Sequence, residues 1–258
     1  MKPIKLTIQI KAVNESDIDC FIFNEAENNQ LNFLISNGNI TLDKKNQLAS
    51  IIYNNHHQFE KVIRSAIKGN IKVRQIINCV FIENFNFLKD RDFVKFIRVD
   101  TRSGKLDITT SDSGSIDIHK IYADGSFVSE TKKSGYGGFT EEPDGKQDIF
   151  FQSFDEGSSN LIELLAITEG LQRLSSVKEI QVNTDSRYVI RGLIQWCHFW
   201  KYNNWQTAYG RDVRYTKHWQ QAFSLCENKL IEFKWIKGHS GNKKQDFCHQ
   251  LAKELTTR

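Results

Sequence analysis

The stretch Ile121-Tyr122-Ala123-Asp124-Gly125-Ser126 decides how the second half of the chain folds. It continues an apolar run from Ile116 and ends in an acid and a glycine, which is typical of a buried strand that closes on a tight turn. An Asp-Gly pair alone is as consistent with a simple turn as with a functional site. Its meaning therefore depends on later stretches.

Two later stretches place acids in comparable apolar surroundings. Glu163 lies among Leu and Ile residues at the start of a strong helical pattern, and Asp185 ends an apolar strand that begins near Ile180. Buried acids brought to one point repel each other unless a cation lies between them. Because hard oxygen ligands suit Mg²⁺ or Mn²⁺, Asp124, Glu163 and Asp185 are candidate metal ligands.

Composition indicates a globular protein of one large or two small domains. The chain has 258 residues, of which 39% are hydrophobic and 12% aromatic. The net charge of +4 permits a polyanionic partner without requiring one. No signal peptide or membrane span is expected, and five cysteines without a C-x-x-C pair indicate free thiols, so we expect a cytoplasmic protein.

The first hundred residues show strand patterns and then a helical one. Residues 4–13 alternate apolar and polar side chains, and residues 42–66 have helical spacing that is interrupted at His56-His57, where a loop or cap is expected. This predicts a smaller N-terminal α+β domain over residues 1–100. It holds no catalytic constellation, and its charge is nearly balanced, so no basic arm is expected. Docking of a protein partner and dimerisation are both open as its role.

Residues 101–115 are polar and rich in Ser, Thr, Asp and Gly, which predicts a linker. An exposed hairpin at a sheet edge is the alternative. Under the linker interpretation, residues 116–258 form a separable catalytic domain. Their pattern gives three strands followed by strands that alternate with helices, which predicts a mixed sheet covered on both faces.

Six motifs follow in order between residues 118 and 258. They are Tyr122-Ala123-Asp124-Gly125-Ser126, Gly135-Tyr136-Gly137-Gly138, Ile162-Glu163-Leu164, Thr184-Asp185-Ser186-Arg187-Tyr188-Val189, Gln195-Trp196 with Trp200 and Trp205, and Trp235-Ile236-Lys237-Gly238-His239-Ser240-Gly241. Each motif is common alone, but the ordered set is specific. It resembles the type 1 ribonuclease H family, which implies an α/β fold with a ribonuclease H-like mixed five-stranded sheet and helices on both faces.

The resemblance implies a metal-dependent endonuclease that cleaves the RNA strand of RNA–DNA hybrids and leaves 3′-hydroxyl and 5′-phosphate ends. Asp124, Glu163 and Asp185 would hold two Mg²⁺ or Mn²⁺ ions per site. His239, in a glycine-containing loop, would assist proton transfer or product release.

The family's fourth acid is replaced by His249, in the context Cys248-His249-Gln250-Leu251-Ala252. We consider His249 as a metal ligand and as a packing residue, with Asp246 one helical turn earlier as a substitute acid. The replacement also motivates a second interpretation, a hybrid-binding module with weak or no catalysis.

A basic, tryptophan-rich segment from Trp196 to Trp219 looks like the protrusion that holds the DNA strand in the family. The nucleic-acid contacts that the resemblance implies are Ser126, Asn160, Arg187, Trp196, Trp200, Lys201, Trp205, Arg211, Arg214 and Lys217. A core stripe is the alternative for the tryptophans, and we expect Trp196 to be partly exposed and Trp219 buried. The resemblance places Glu156, Ser158 and Tyr215 at the family's phosphate pocket, where an acid costs affinity, and Arg187 where the family has a glutamine. Both departures argue against strict hybrid discrimination.

Overall fold

The computed structural model describes residues 3–82, 88–208, 211–238 and 240–257. The chain divides into two compact units. The first comprises Met1–Phe85 and Phe199–Arg214, and the second comprises Asn86–His198 and Tyr215–Arg258. No helix within the described ranges is both long enough and apolar enough to cross a membrane.

The first unit is a five-stranded antiparallel sheet with two helices. The strands are β1 (Pro3–Val13), β2 (Asp17–Phe23), β3 (Asn28–Leu34), β4 (Ile40–Leu42) and β5 (Ile76–Ile82), and the helices are α1 (Gln47–Asn54) and α2 (His56–Lys68). The strand order is β4-β3-β2-β1-β5. Because side chains alternate along a strand, Ile18, Cys20 and Ile22 of β2 all face the core, which Phe59 and Ile63 of α2 also enter.

The expected interruption at His56-His57 is present. Helix α1 ends at Asn54, and α2 begins at His56. Asn55 lies between them, donates from Nδ2 to the carbonyl of Ile51 at 2.9 Å and accepts from Gln58 Nε2 at 3.0 Å. The two histidines therefore mark a helix start, as the sequence indicated.

The second unit contains a seven-stranded mixed sheet. Its strands are β6 (Phe96–Asp100), β7 (Asp107–Ser111), β8 (His119–Phe127), β9 (Ser134–Glu141), β10 (Gln147–Phe154), β11 (Glu179–Thr184) and β12 (Leu230–Trp235). The order is β10-β9-β8-β11-β12-β6-β7, and β11 runs parallel to both of its neighbours. The helices are α3 (Ser159–Arg173), α4 (Arg187–Arg191), α5 (Cys197–Tyr202), which begins in this unit and ends in the first, α6 (Thr216–Leu225) and α7 (Lys243–Thr257).

Adjacent residues of the central strand β8 show why helices cover both faces. Ile121 is buried next to Gly170 of α3, and a Cβ atom on that glycine would lie 2.5 Å from Ile121 Cγ2. Tyr122 points to the opposite face, where its ring stacks on Phe139 and packs in a cluster with Cys248 of α7. The expected α/β sheet with helices on both faces is confirmed.

The sheet has two strands more than expected, and they correct the predicted linker. Strand β6, assigned to the N-terminal domain, pairs antiparallel with β12, and β7, inside residues 101–115, pairs with β6. Most side chains of β7 are exposed because it is an edge strand, which explains its polar composition. The observed unit therefore begins before residue 100, and the edge-hairpin alternative describes this region.

Candidate active site

Three carboxylates converge at one end of the parallel strands. Asp124 lies in β8, which continues to Phe127 instead of ending at the acid as expected, and Asp185 directly follows β11. Ligand oxygens of Asp124, Glu163 and Asp185 all lie within 4.8 Å of one another. Asp124 is only 3% exposed, so its charge is largely removed from water.

Local sequence explains how Glu163 reaches the strand residues. Ser158 caps α3 by accepting from the Leu161 amide at 3.3 Å, which fixes the start of the helix. A Cβ atom at Gly125 would lie 2.8 Å from Ile162 Cγ2 and 3.0 Å from the Glu163 amide. Only glycine permits this close approach of β8 to the first turns of α3.

The electrostatics of the site favour a cation. Burial raises the pKa of Glu163 well above its usual range, and the nearby charges of Asp124 and Asp185 raise it further. Glu163 Oε2 is buried and has no hydrogen-bond partner among the described residues. A buried carboxylate oxygen without a donor, beside two more carboxylates, fits a divalent ion that takes oxygen ligands.

Trp235 holds the third acid in place. Its indole Nε1 donates to the main-chain carbonyl of Asp185 at 2.8 Å. The guanidinium of Arg187 lies 4.0 Å from a ring centroid of Trp235 and 5.1 Å from that of Phe93, so it packs against two aromatic rings. The sequence indicated no role for the ring of Trp235 or of Phe93. Trp235 belonged to a motif, but nothing linked the distant Phe93 to this site.

His249 lies at the carboxylate cluster. Its Nδ1 is 2.9 Å from Asp124 Oδ2, and its side chain is 37% exposed. Among the described residues, the group of acids able to share one ion includes neither His249 nor Asp246. His239, the other expected catalytic histidine, lies outside the described residues.

The expected nucleic-acid contacts are divided between the two units. Ser126, Asn160, Arg187, Trp196 and Lys217 belong to the second unit, and Trp200, Lys201, Trp205, Arg211 and Arg214 to the first. The four cations of the Trp196–Trp219 segment are all exposed. Trp196 is partly buried with its ring 5.4 Å from that of Tyr188, and Trp219 is fully buried, as expected.

Main-chain hydrogen bonds join described residues of the Trp196–Trp219 segment. The Val213 amide donates to the carbonyl of Trp205 at 3.0 Å, and the Thr207 amide donates to that of Arg211 at 2.7 Å. At the expected phosphate pocket, the hydroxyls of Ser158 and Tyr215 lie 2.8 Å apart and hydrogen-bond to each other. These two positions are therefore already paired within the protein.

Comparisons with known proteins agree with this geometry. The RNase H family model matches residues 117–256. Ribonuclease H of Idiomarina loihiensis is 36% identical over 146 residues, which cover 57% of this chain and 92% of that protein. Ribonuclease H of Actinobacillus pleuropneumoniae is 33% identical over 134 residues, covering 52% of this chain and 87% of that protein.

Among solved structures, the crystal structure of LC9-RNase H1, a type 1 RNase H with the type 2 active-site motif, is similar with a TM-score of 0.47 and 23% identity, covering 56% of this chain and 74% of that one. The family match spans more than half of the sequence. The chain therefore belongs to the RNase H family, as a nucleic-acid-binding ribonuclease H.

Proposed function

We propose that this protein hydrolyses the RNA strand of RNA–DNA hybrids with two Mg²⁺ or Mn²⁺ ions and leaves 3′-hydroxyl and 5′-phosphate ends. The observation that carries the proposal is the convergence of Asp124, Glu163 and Asp185 within 4.8 Å. Three acids at one point would repel the phosphates of a polyanion, so a protein that only binds nucleic acid has no use for them. Their convergence favours catalysis over binding alone.

The chain's own residues prepare the site for that chemistry. When bound, divalent ions supply an activated water and stabilise the charge that develops on the phosphate. Asp124, Glu163 and Asp185 would hold them. Trp235 keeps the Asp185 backbone in place, and Arg187, packed on the Trp235 ring, offers a cation beside the site for a strand phosphate. His239 would assist proton transfer or product release.

The contacts proposed for substrate binding combine cations and rings. In the first unit they are Trp200, Lys201, Trp205, Arg211 and Arg214, and the rings of its two tryptophans lie 6.4 Å apart. Exposed cations neutralise phosphates, and rings pack on sugars or bases. In the second unit the proposed contacts are Ser126, Asn160, Arg187, Trp196 and Lys217.

The contact between His249 and Asp124 supports a second candidate, a hybrid-binding module with weak catalysis. A hydrogen bond from His249 Nδ1 would occupy Asp124 Oδ2, one of the oxygens available to an ion. Histidine also contributes one negative charge fewer than the acid expected there. Both effects weaken the binding of a divalent ion at Asp124. An imidazole of His249 that coordinated the ion would suit Mn²⁺ better than Mg²⁺, since Mn²⁺ accepts nitrogen ligands more readily.

A cleavage assay on a labelled RNA–DNA hybrid, with Mg²⁺ and Mn²⁺ tested separately, distinguishes the two candidates. Asp124→Asn should lower the rate by more than about 100-fold, since changes to residues behind metal ligands alone cost 10–100-fold. It should leave hybrid binding intact. The matched control, Asp117→Asn at an exposed position, should cleave like the unmodified protein. Near-normal cleavage by Asp124→Asn would refute the site assignment. If the unmodified protein cleaved the hybrid neither with Mg²⁺ nor with Mn²⁺, the binding module would be favoured.

A further inference from the structure

Cations are concentrated in one segment of the first unit. Residues 61–74 contain Lys61, Arg64, Lys68, Lys72 and Arg74 and no acid, whereas the whole chain has 35 Lys and Arg against 31 Asp and Glu. The nearly balanced charge of the N-terminal region concealed this segment. It belongs to Met1–Phe85, and the carboxylate site belongs to the second unit.

Helix α2 presents these cations on one side. Phe59, Ile63 and Ala66 of the helix are buried in the core of the first unit. Lys61, Arg64 and Lys68 follow one another at spacings of three and four residues. They therefore share one face of α2, which is different from the face that is buried. We call the row His57, Lys61, Arg64 and Lys68 the α2 stripe. At 1.5 Å per residue it is roughly 16 Å long.

Arg64 is held in a fixed position within the stripe. Its Nε donates to Glu60 Oε1 at 2.7 Å, and its NH1 donates to the carbonyl of Ile35 at 3.2 Å. Glu60 is the only acid of α2, so the helix itself contributes one acid against Lys61, Arg64 and Lys68. A surface groove runs along this side, lined by His57, Glu60, Lys61, Arg64, Ser65 and Lys68.

We propose that the α2 stripe, together with Lys72, binds the phosphate backbone of duplex nucleic acid without regard to sequence. Phosphates along one strand repeat about every 3.4 Å of the duplex axis and wind around it, so a row of roughly 16 Å is long enough to contact several of them. The exposed residues of α2, His57, Lys61, Ser65 and Lys68, include no aromatic or aliphatic side chain. A protein partner would need such an anchor at the centre of its interface, so charge complementarity favours a nucleic acid.

The proposal predicts a second attachment of the chain to the polyanion on which the proposed nuclease acts, in addition to the contacts at the carboxylate site. It rests on the proposed function only in that the ligand is a nucleic acid. Binding can be measured without cleavage, so a failure of one proposal is distinguishable from a failure of the other.

The test compares two triple variants of the full chain, each of which removes three exposed lysines of the first unit. The stripe variant is Lys61→Gln, Lys68→Gln and Lys72→Gln, and the control is Lys5→Gln, Lys11→Gln and Lys45→Gln. Affinity for fluorescent 30-base-pair hybrid and DNA duplexes is measured by anisotropy with a chelator present, over a range of salt concentrations. Circular dichroism melting confirms that both variants fold.

The stripe variant should bind both duplexes at least tenfold more weakly, and its log–log salt slope should be smaller by about 2 to 3 units for three lost phosphate contacts. The control should keep its slope within about half a unit. Equal losses of affinity in the two variants would show that only the net charge of the protein matters, which would overturn the proposal. Unchanged binding by the stripe variant, or a loss confined to the hybrid, would also overturn it.

Discussion

Glu163 carries a charge that destabilises the metal-free protein. Burial and the charges of Asp124 and Asp185 raise its pKa well above 4.5, the value expected for an unperturbed glutamate. Below pH 4.5 it is protonated in the folded and unfolded chain alike, and no penalty arises. As pH rises further, the unfolded chain releases the proton first, so the folded state loses stability.

Glu163→Gln should therefore stabilise the metal-free protein at neutral pH, because it removes the raised-pKa carboxyl. The gain in melting temperature should be absent below pH 4.5 and grow above it, while cleavage is lost. The matched control, Glu254→Gln at an exposed position of α7, should show neither change. Thermal melts in chelator across the pH range check this. A gain that does not vary with pH would contradict the repulsion described for the site.

His249→Asp tests whether the histidine lies close enough to a bound ion to alter it. The substitution restores a negative charge at a position whose present imidazole Nδ1 lies 2.9 Å from Asp124 Oδ2. Activity in Mg²⁺ should rise and the Mn²⁺/Mg²⁺ rate ratio should fall. The rates are measured at several concentrations of each metal. An equal ratio in the two proteins would make His249 a packing residue.

At the residue scale, the sequence predicted the site because strand-end acids and a helical acid follow one another in a specific order. It could not predict that Arg187 packs on Phe93, because the two residues meet only through the pairing of β6 with β12. The sequence also could not predict the 2.9 Å contact of His249 with Asp124, since the position of helix α7 against strand β8 depends on packing.

At the scale of elements, Lys229 joins the end of α3 to the start of β12. The side chain is only 5% exposed, and its Nζ donates to the carbonyls of Leu174, Ser175 and Val177 at 2.6 to 3.0 Å. Carbonyls at a helix end have no partners within the helix. Lys229 therefore supplies a donor to Ser175 and Val177 and a second donor to Leu174, whose carbonyl also accepts from the Val177 amide at 3.0 Å.

Lys229→Met should lower the free energy of unfolding by about 3 kcal/mol, because the apolar chain keeps its packing but leaves buried carbonyls without a charged donor. The matched control is Lys178→Met at an exposed position, which should change stability by less than about 0.5 kcal/mol. Urea titrations of both proteins measure the difference. Equal stability would show that water replaces the ammonium group.

Periodicity predicted the order of elements in the second unit, but two features depended on tertiary contacts. The helical stretch after β11 is not one regular helix, because α4 is followed by a π-helical turn at Gly192–Trp196 and then by α5. A Cβ atom at Gly192 would lie 2.1 Å from Trp219, so the turn passes against that ring. The polar strand β7 has no hydrophobic alternation, because an edge strand buries little.

At the scale of the whole molecule, strand pairing changes where the chain can be cut. Glu232 is fully buried in β12, where it accepts from Arg98 Nε at 2.7 Å and from the Ser115 amide at 3.0 Å. A cut after β7 would remove Arg98 and expose the edge of β12. The separable domain expected from residue 116 therefore lacks part of its own sheet.

Fragment 88–258 should accordingly be more stable than fragment 116–258 by about 3 kcal/mol or more, the cost of breaking a buried ion pair. Both lack the same N-terminal residues, so the comparison isolates β6, β7 and the segment around them. Urea unfolding and solubility measure the outcome. Equal midpoints would restore the interpretation of residues 101–115 as a linker.

The pairing of β6 with β12 also has a consequence for biosynthesis. Arg98 and Glu232 are separated by 134 positions, so the ribosome completes β6 long before its partner strand exists. At 5–20 residues per second, the delay is roughly 7 to 27 s. During that time β6 offers an unpaired edge to any other nascent chain, and only the exposed polar strand β7 covers its other side. The placement of a strand thus sets an interval in which the newborn chain carries an edge open to mispairing.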